Sequence, residues 1–157
     1  MRTPRVYLET SVFNFVFADN DPEKQHGALK LFEEIGQTLY KPYSSDYVLH
    51  ELSAAQEPKR GNMLRLLEKY SLNILPTNPE AERLAEIYVS EGIIPAKFST
   101  DAVHIACATV NDLDFIVSYN FRHIVKRKTI IMTGAVNLRE GYKQIGIFSP
   151  LEVIENE

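Results

Sequence analysis

Short apolar runs alternate with helix-type repeats along this chain, and the alternation constrains its fold more than any other feature. The helical repeats place apolar residues three and four positions apart, whereas the strand-type runs are short and rich in β-branched and aromatic residues. Strands that are apolar throughout are typical of a parallel sheet covered on both faces by helices. The pattern therefore predicts the α/β class with a mainly parallel sheet.

The expected elements follow one another in a regular order. Strands are predicted at 5–9, 39–44, 72–75, 115–118 and 129–132. Helices are predicted at 22–35, 46–52, 59–70, 79–92 and 101–110. Asp21, Asp46 and either Ser99 or Thr100 are suited to cap three of these helices, because short polar side chains accept hydrogen bonds from the first free N–H groups.

The bulk properties are those of one ordinary globular domain spanning residues 1–157, with 45% hydrophobic and 24% charged residues. A single cysteine, Cys107, excludes an internal disulfide and a multi-thiolate metal site. The apolar runs are too short for a membrane helix, and the first segment lacks the long apolar stretch of a signal peptide. We therefore expect a cytoplasmic protein that does not contact a membrane.

The charge balance limits how the chain can bind nucleic acid. With 17 basic and 21 acidic residues the formal net charge is -4, so its average field does not attract a polyanion. Any contact with RNA must be local. The densest basic stretch is predicted either to hold phosphates or to be a solvated loop, and it comprises Arg122, His123, Lys126, Arg127 and Lys128, with Lys97 as a weaker candidate.

Four polar side chains occur where strands and helices of such a sheet meet. Glu9 ends the first predicted strand, and Asn120 comes two residues after the strand at 115–118. Asp101 begins a helix, and Glu51 lies on the helix that follows the second strand. Ligands of open parallel sheets bind outside the carboxyl ends of the strands, so we expect these residues to converge there. A buried carboxylate is costly unless it is paired, so Glu9 is also expected to have a cationic partner.

Carboxylate and amide oxygens are hard ligands, and they suit Mg²⁺ or Mn²⁺ better than zinc. A site with three carboxylates and one amide would leave coordination positions for water and a substrate phosphate. Such a site supports metal-assisted hydrolysis of a phosphodiester, with either one ion or two.

Four segments resemble, in order, the acidic motifs of PIN-domain nucleases, and the resemblance covers nearly the whole chain. They are Tyr7-Leu8-Glu9-Thr10-Ser11, Val48-Leu49-His50-Glu51-Leu52, Asp101-Ala102-Val103-His104-Ile105-Ala106 and Ile116-Val117-Ser118-Tyr119-Asn120. The resemblance implies one PIN-like domain, a three-layer α/β/α sandwich, and Mg²⁺- or Mn²⁺-dependent RNA cleavage. It assigns catalysis and metal binding to Glu9, Glu51, Asp101 and Asn120. Many small members of the family are toxins held by an antitoxin protein, and they often form homodimers.

Two departures from the family pattern leave a second function open. Glu9 stands where the family usually has Asp, and Asn120 occupies a position often filled by Asp. The longer side chain and the missing charge both favour an alternative, a catalytically weak or inactive RNA-binding or scaffold protein on the same fold. An unrelated phosphotransfer domain is disfavoured because the chain lacks a glycine-rich phosphate loop.

Each candidate residue also has a purely structural explanation. Glu9 could form a surface ion pair, Asp101 could favour the dipole of its helix, Glu51 could be an exposed helix residue, and Asn120 could be a turn residue. Thr10 is expected to assist cofactor binding, although capping the next helix explains its hydroxyl equally well. His104 is interpreted as a solvated or core-edge histidine and Cys107 as a small buried hydrophobe.

Overall fold

The computed structural model describes residues 2–155 and contains a five-stranded parallel sheet with the strand order β3-β2-β1-β4-β5. The strands are β1 Arg5–Leu8, β2 Lys41–Ser45, β3 Asn73–Leu75, β4 Phe115–Val117 and β5 Gly146–Phe148. Val6, Tyr7 and Leu8 of the central strand are fully buried, so both faces of β1 are covered. The expected α/β/α sandwich with a parallel sheet is confirmed.

Eight α-helices are described in the same part of the chain. They are α1 Thr10–Phe15, α2 Pro22–Gly36, α3 Asp46–Ser53, α4 Lys59–Lys69, α5 Pro79–Ser90, α6 Ser99–Val110, α7 Arg127–Arg139 and α8 Pro150–Val153, and a 3₁₀ turn at Ala96–Phe98 precedes α6. Within residues 2–155, none of these helices has the length and apolar composition that a membrane span requires.

Of the three predicted helix caps, one is confirmed. Asp21 accepts a hydrogen bond from the Lys24 N–H and begins α2, as predicted. The cap of α3 is Ser45 rather than Asp46, because the Ser45 hydroxyl accepts the Val48 N–H at 3.2 Å while Asp46 is already helical. The predicted cap of α6 by Ser99 or Thr100 is also wrong, since the preceding 3₁₀ turn brings Ser99 itself into the helix.

The predicted strand at 129–132 is wrong, because those residues lie within α7. Its β-branched composition is explained by threonine hydroxyls that bond to backbone oxygens: Thr129 donates to the His123 carbonyl at 2.7 Å, and Thr133 donates to the Thr129 carbonyl at 2.6 Å. The fifth strand is instead Gly146–Phe148, which pairs with β4 at the edge of the sheet.

Strand register determines where the polar residues after β1 and β4 lie. Leu8 of β1 pairs with Val117 of β4, and the Glu9 N–H donates to the Val117 carbonyl at 3.1 Å. Glu9 and Ser118 are therefore neighbours just beyond the last paired residues. Helices α1 and α3 begin directly after β1 and β2, so their first turns lie at this same carboxyl edge.

Candidate metal centre

A cleft of about 490 Å³ opens at the carboxyl edge of the sheet. All five residues predicted from the sequence to form the site, Glu9, Thr10, Glu51, Asp101 and Asn120, line this cleft. They come from segments up to 111 positions apart, and the parallel sheet brings them together. The cleft is the candidate site.

Glu9 is held by hydroxyl groups and not by a basic side chain. Its Oε1 accepts hydrogen bonds from the Ser11 and Ser118 hydroxyls, both at 2.6 Å, and from the Ser11 N–H at 3.2 Å. The residue is 5% exposed, and among residues 2–155 no lysine, arginine or histidine forms an ion pair with it. The expected cationic partner of Glu9 is therefore not a basic side chain among these residues.

Glu51 projects from α3 and is fixed by two donors. Its Oε1 accepts a hydrogen bond from the Thr10 hydroxyl at 2.7 Å and lies 2.5 Å from Nε2 of His104. Burial alone would raise the pKa of Glu51, but the hydrogen bond and charge of His104 and the Thr10 hydroxyl outweigh it and lower this pKa. Burial likewise opposes protonation of His104, yet its hydrogen bond to Glu51 and the charges of Glu9, Glu51 and Asp101 raise the pKa of the imidazole.

Asp101 and Asn120 are joined through His123. Oδ2 of Asp101 lies 2.9 Å from the ring atom Nδ1 of His123, and the backbone N–H of His123 donates to Oδ1 of Asn120 at 2.9 Å. The His123 ring packs against Phe98 with 4.3 Å between the ring centroids. This packing fixes the imidazole, which in turn fixes the Asp101 carboxylate.

The three carboxylates share one arrangement, in which one oxygen is anchored and the other is free. Hydrogen bonds from the described residues reach Oε1 of Glu9, Oε1 of Glu51 and Oδ2 of Asp101, and none reaches the second oxygen of these groups. Within residues 2–155, the buried side-chain polar atoms without a partner are Arg5 Nε and Glu34 Oε1, so the free oxygens of the three carboxylates are solvent-accessible, and their residues line the cleft.

This donor set fits a hard divalent cation. Ligand atoms of Glu9, Glu51 and His104 lie within 4.8 Å of one another, which is close enough for Glu9 and Glu51 to share one ion. Asp101 lines the same cleft but lies outside this tight group. Free carboxylate oxygens are the ligands that Mg²⁺ and Mn²⁺ prefer.

Comparison with known proteins identifies the family. The sequence profile of the PIN domain matches residues 6–128, a segment that contains all four candidate ligands. The chain belongs to the PIN-domain family. PIN domains are generally nucleases that use divalent metals, and the cleft matches that chemistry in its donor types.

The PIN fold extends past the matched segment. The structure resembles that of VapBC2 from Rickettsia felis bound to a DNA fragment from their promoter, with a TM-score of 0.50 and 13% sequence identity. The alignment covers 92% of this chain and 96% of that chain. At this identity the likeness shows the fold alone. Comparison with curated proteins finds no significant match.

Three residues that contact the carboxylates of this PIN domain were not assigned a site role from the sequence. His104 is fully buried rather than solvated, and it lies one turn after Asp101 on the same face of α6, a spacing that could have indicated its role. Ser118 directly follows β4, so its position beside Glu9 depends on strand register, which the sequence does not give. The sequence places His123 in a basic stretch that either holds phosphates or is a solvated loop, and neither alternative predicts its contact with Asp101.

The basic stretch beside the cleft divides into two parts. His123 is 9% exposed and bonded to Asp101, so it is not a free surface cation. The side chains of Arg122, Lys126, Arg127 and Lys128 are exposed. Arg122 and Lys97 both lie over the Phe98 ring, at 5.6 Å and 5.8 Å from its centroid. Positive charge therefore surrounds the aromatic ring that supports His123.

Cys107 is fully buried, as expected.

Proposed function

We propose that this PIN-domain protein is a metal-dependent endoribonuclease that cleaves RNA phosphodiester bonds with Mg²⁺ or Mn²⁺. The observation that carries the proposal is the set of three anchored carboxylates, each with one free oxygen open to the same cleft. Hydrogen bonds formed by the chain itself fix the direction of these oxygens before a ligand arrives. Sites organised in this way stabilise developing charge without rearranging during the reaction.

Each cleft residue has a distinct role in this proposal. Glu9, Glu51 and Asp101 would hold the cation through their free oxygens, and the Asn120 amide would complete the set. Thr10 would act on the cofactor indirectly, because its hydroxyl donates to Glu51 at 2.7 Å. When bound, a divalent cation lowers the pKa of a water molecule and neutralises charge on the scissile phosphate. The exposed cations Arg122 and Lys126 would bind the flanking phosphates.

The test compares matched Asp-to-Asn variants at the two ends of α6. We expect the purified protein to cleave RNA with Mg²⁺ or Mn²⁺, and to lose the activity in EDTA and in Asp101→Asn. Asp112→Asn is the control, because Asp112 is exposed, follows the far end of α6, and has a positive φ of 57° that asparagine tolerates. Cleavage that survives in Asp101→Asn would come from a contaminating nuclease, and the proposal would then have no support.

The proposal also includes the biological setting of the activity. We propose that residues 1–157 act as one cytoplasmic PIN domain, as a homodimer, and as the toxin half of a toxin and antitoxin pair. Co-expression of the antitoxin should relieve growth arrest caused by this chain, and arrest should be absent with Asp101→Asn. Light scattering of the purified chain measures whether it is a dimer.

A second function is favoured by one contact of Asn120. Its Oδ1 already accepts the His123 N–H at 2.9 Å, which reduces its capacity to bind a cation strongly. A PIN domain that binds RNA or a partner protein without cleaving it is the alternative that this contact supports. RNA binding by the wild-type protein without cleavage in Mg²⁺ or Mn²⁺ would select that alternative.

A further inference from the structure

We propose that His104 is a positioning residue, which aims the Glu51 carboxylate at the cation and does not bind the cation itself. The inference rests on the proposed metal-dependent function. Its starting point is geometric: the His104 side chain is fully buried, yet its Nε2 lies 2.5 Å from Oε1 of Glu51. Burial of a polar imidazole costs free energy unless the imidazole is hydrogen-bonded, and the contact with Glu51 provides one such hydrogen bond.

His104 is held in place by a buried chain of hydrogen bonds that returns to the helix bearing Glu51. Its Nδ1 lies 2.7 Å from the Tyr7 hydroxyl, which lies 2.7 Å from the Ser45 hydroxyl. Ser45 in turn caps α3 by accepting the Val48 N–H at 3.2 Å. The chain therefore links α6, β1 and the start of α3, which carries Glu51. Because each polar group in it has a partner, it can orient the imidazole without an unsatisfied atom in the core.

The positions of the protons distinguish a positioning role from a ligand role. A carboxylate that binds a cation is ionised, and an ionised carboxylate only accepts hydrogen bonds. Nε2 of His104 must then carry the shared hydrogen, so its lone pair is not available to a cation. Nδ1 lies 2.7 Å from the buried Tyr7 hydroxyl and is engaged by that hydrogen bond. Neither ring nitrogen is free, although His104 lies within 4.8 Å of the Glu9 and Glu51 ligand atoms.

The hydrogen bonds to Oε1 of Glu51 determine where its second oxygen, Oε2, lies. Thr10 on α1 and His104 on α6 approach Oε1 from two different helices, so together they fix the position of the carboxylate group. This leaves Oε2 without a partner among the described residues and available to a cation. Partners of metal ligands typically change metal affinity about 10- to 100-fold when they are removed.

The first test measures Mn²⁺ binding by electron paramagnetic resonance, independently of RNA cleavage. We expect His104→Phe to bind Mn²⁺ about 10- to 100-fold more weakly than the wild type. His104→Gln should recover part of the affinity, because its amide can donate a hydrogen bond to Glu51. Tyr7→Phe should weaken binding less. Tyr88→Phe is the matched control, since Tyr88 is also fully buried and its hydroxyl donates to Asn137 at 2.5 Å, outside the cleft.

The expected result of the second test needs only the wild type, and a variant is used only to assign a coupling if one is observed. Wild-type protein labelled with ¹⁵N-histidine and loaded with Mn²⁺ should show no direct ¹⁵N coupling in pulsed electron paramagnetic resonance. Direct coupling that His104→Gln abolishes would make His104 a ligand and overturn the inference. Equal Mn²⁺ affinity in the wild type and a folded His104→Phe would overturn it as well. A wild-type protein that binds no Mn²⁺ would instead remove the proposed metal-dependent function itself.

Discussion

Glu9 is a buried carboxylate that is held by hydrogen bonds and, among residues 2–155, forms no ion pair with a basic side chain. Three hydrogen bonds reach its Oε1, and hydrogen bonds to an ionised group stabilise it more strongly than those between neutral groups. The negative charge nevertheless remains beside that of Glu51. A divalent cation in the cleft would remove this repulsion, so metal binding and stability should be linked at this residue.

We predict that Glu9→Gln abolishes the stabilisation of the protein by Mn²⁺. The wild type should gain about 2.7 kcal/mol of unfolding free energy when Mn²⁺ is present at 100 times its Kd, and its melting temperature should rise accordingly. The glutamine keeps an acceptor for Ser11 and Ser118 but removes the charge, so without metal its melting temperature should equal or exceed that of the wild type. Differential scanning calorimetry with and without Mn²⁺ measures both effects.

Glu34→Gln is the control for this prediction. Glu34 is 1% exposed and lies on α2, where its Oε2 accepts the Glu155 N–H, so the same substitution is made at a buried glutamate outside the cleft. It should retain the full response to Mn²⁺. An undiminished response in Glu9→Gln would show that Glu9 does not bind the cation.

At the scale of elements, α2 lies close to the segment that contains Asn120, and the close contact is at Gly27 of α2. A Cβ at Gly27 would lie 2.2 Å from the Tyr119 hydroxyl, which donates to the Lys24 carbonyl at 2.7 Å. Gly27 therefore allows the close approach of the residue that directly precedes Asn120.

We predict opposite effects of two glycine substitutions in α2. Gly27→Ala should lower the free energy of unfolding by about 1–3 kcal/mol, because the new methyl group must displace Tyr119. At Gly36 the nearest atom to a new Cβ is a Tyr70 ring carbon at 3.6 Å, an ordinary contact, so Gly36→Ala should be neutral or stabilise by up to about 1 kcal/mol. Urea denaturation measures both, and a Gly27→Ala variant as stable as Gly36→Ala would contradict the contact.

At the opposite edge of the sheet, Asp114 connects the beginnings of β1 and β4. Its carboxylate accepts the Arg5 N–H at 2.7 Å and pairs with Arg2 at 2.7 Å and Lys143 at 3.0 Å. Burial alone would raise the pKa of Asp114, but the Arg5 hydrogen bond and the Lys143 and Arg2 charges outweigh it, and the pKa is lowered.

This lowered pKa predicts a pH dependence with a definite sign. The unfolded carboxyl titrates near pH 3.9, so its contribution to stability is complete above that pH and is lost as the pH falls through the lower folded value. Asp114→Asn should therefore be less stable than the wild type at pH 6, by less than about 1 kcal/mol because the pairs are exposed and screened. The difference in melting temperature should shrink below about pH 4. A difference that is constant from pH 6 to pH 3 would contradict this assignment.

The elements that the sequence predicted correctly are those whose signal is local. Apolar runs mark β1 and β4, and Asp21 with Pro22 marks the start of α2, because strand burial and helix capping act over a few residues. The strand predicted at 129–132 is wrong because β-branched residues suit a strand, whereas here the Thr129 hydroxyl bonds to the His123 carbonyl before α7 and the Thr133 hydroxyl to the Thr129 carbonyl within α7. β5 was missed because Gly146–Phe148 is a short edge strand without a distinctive pattern.

At the scale of the whole molecule, the cleft could be predicted and its internal contacts could not. The rule that ligands bind at the carboxyl ends of parallel strands was enough to bring Glu9 and Asp101 together. The contacts between Glu51 and His104, which are 53 positions apart, and between Asp101 and His123, which are 22 apart, depend on how α3 and the segment after β4 pack against α6. Packing of that kind leaves no periodic signal in a single sequence.

The charge of the protein is unevenly distributed over its surface. The net charge is -4, yet Arg122 and Lys126 are exposed directly after the residue that ends the candidate ligand set, Asn120. A polyanion would be repelled by the average field of the protein and attracted at this one edge. Binding of RNA should therefore depend on salt through a few local contacts.

We predict that Arg122→Ala combined with Lys126→Ala weakens RNA binding and reduces its salt dependence. Each contact between a cation and a single-stranded phosphate contributes about -0.7 to the slope of log K against log salt, so losing two should reduce the slope by about 1.4. Fluorescence anisotropy of a labelled RNA, measured from 50 to 300 mM salt in the Asp101→Asn background, separates binding from cleavage. Lys41→Ala combined with Lys69→Ala is the control, because both side chains are exposed near the opposite edge of the sheet. Equal slopes for the two double variants would mean that the RNA does not follow the basic segment beside the cleft, whereas a smaller slope in the first alone would place the phosphates there.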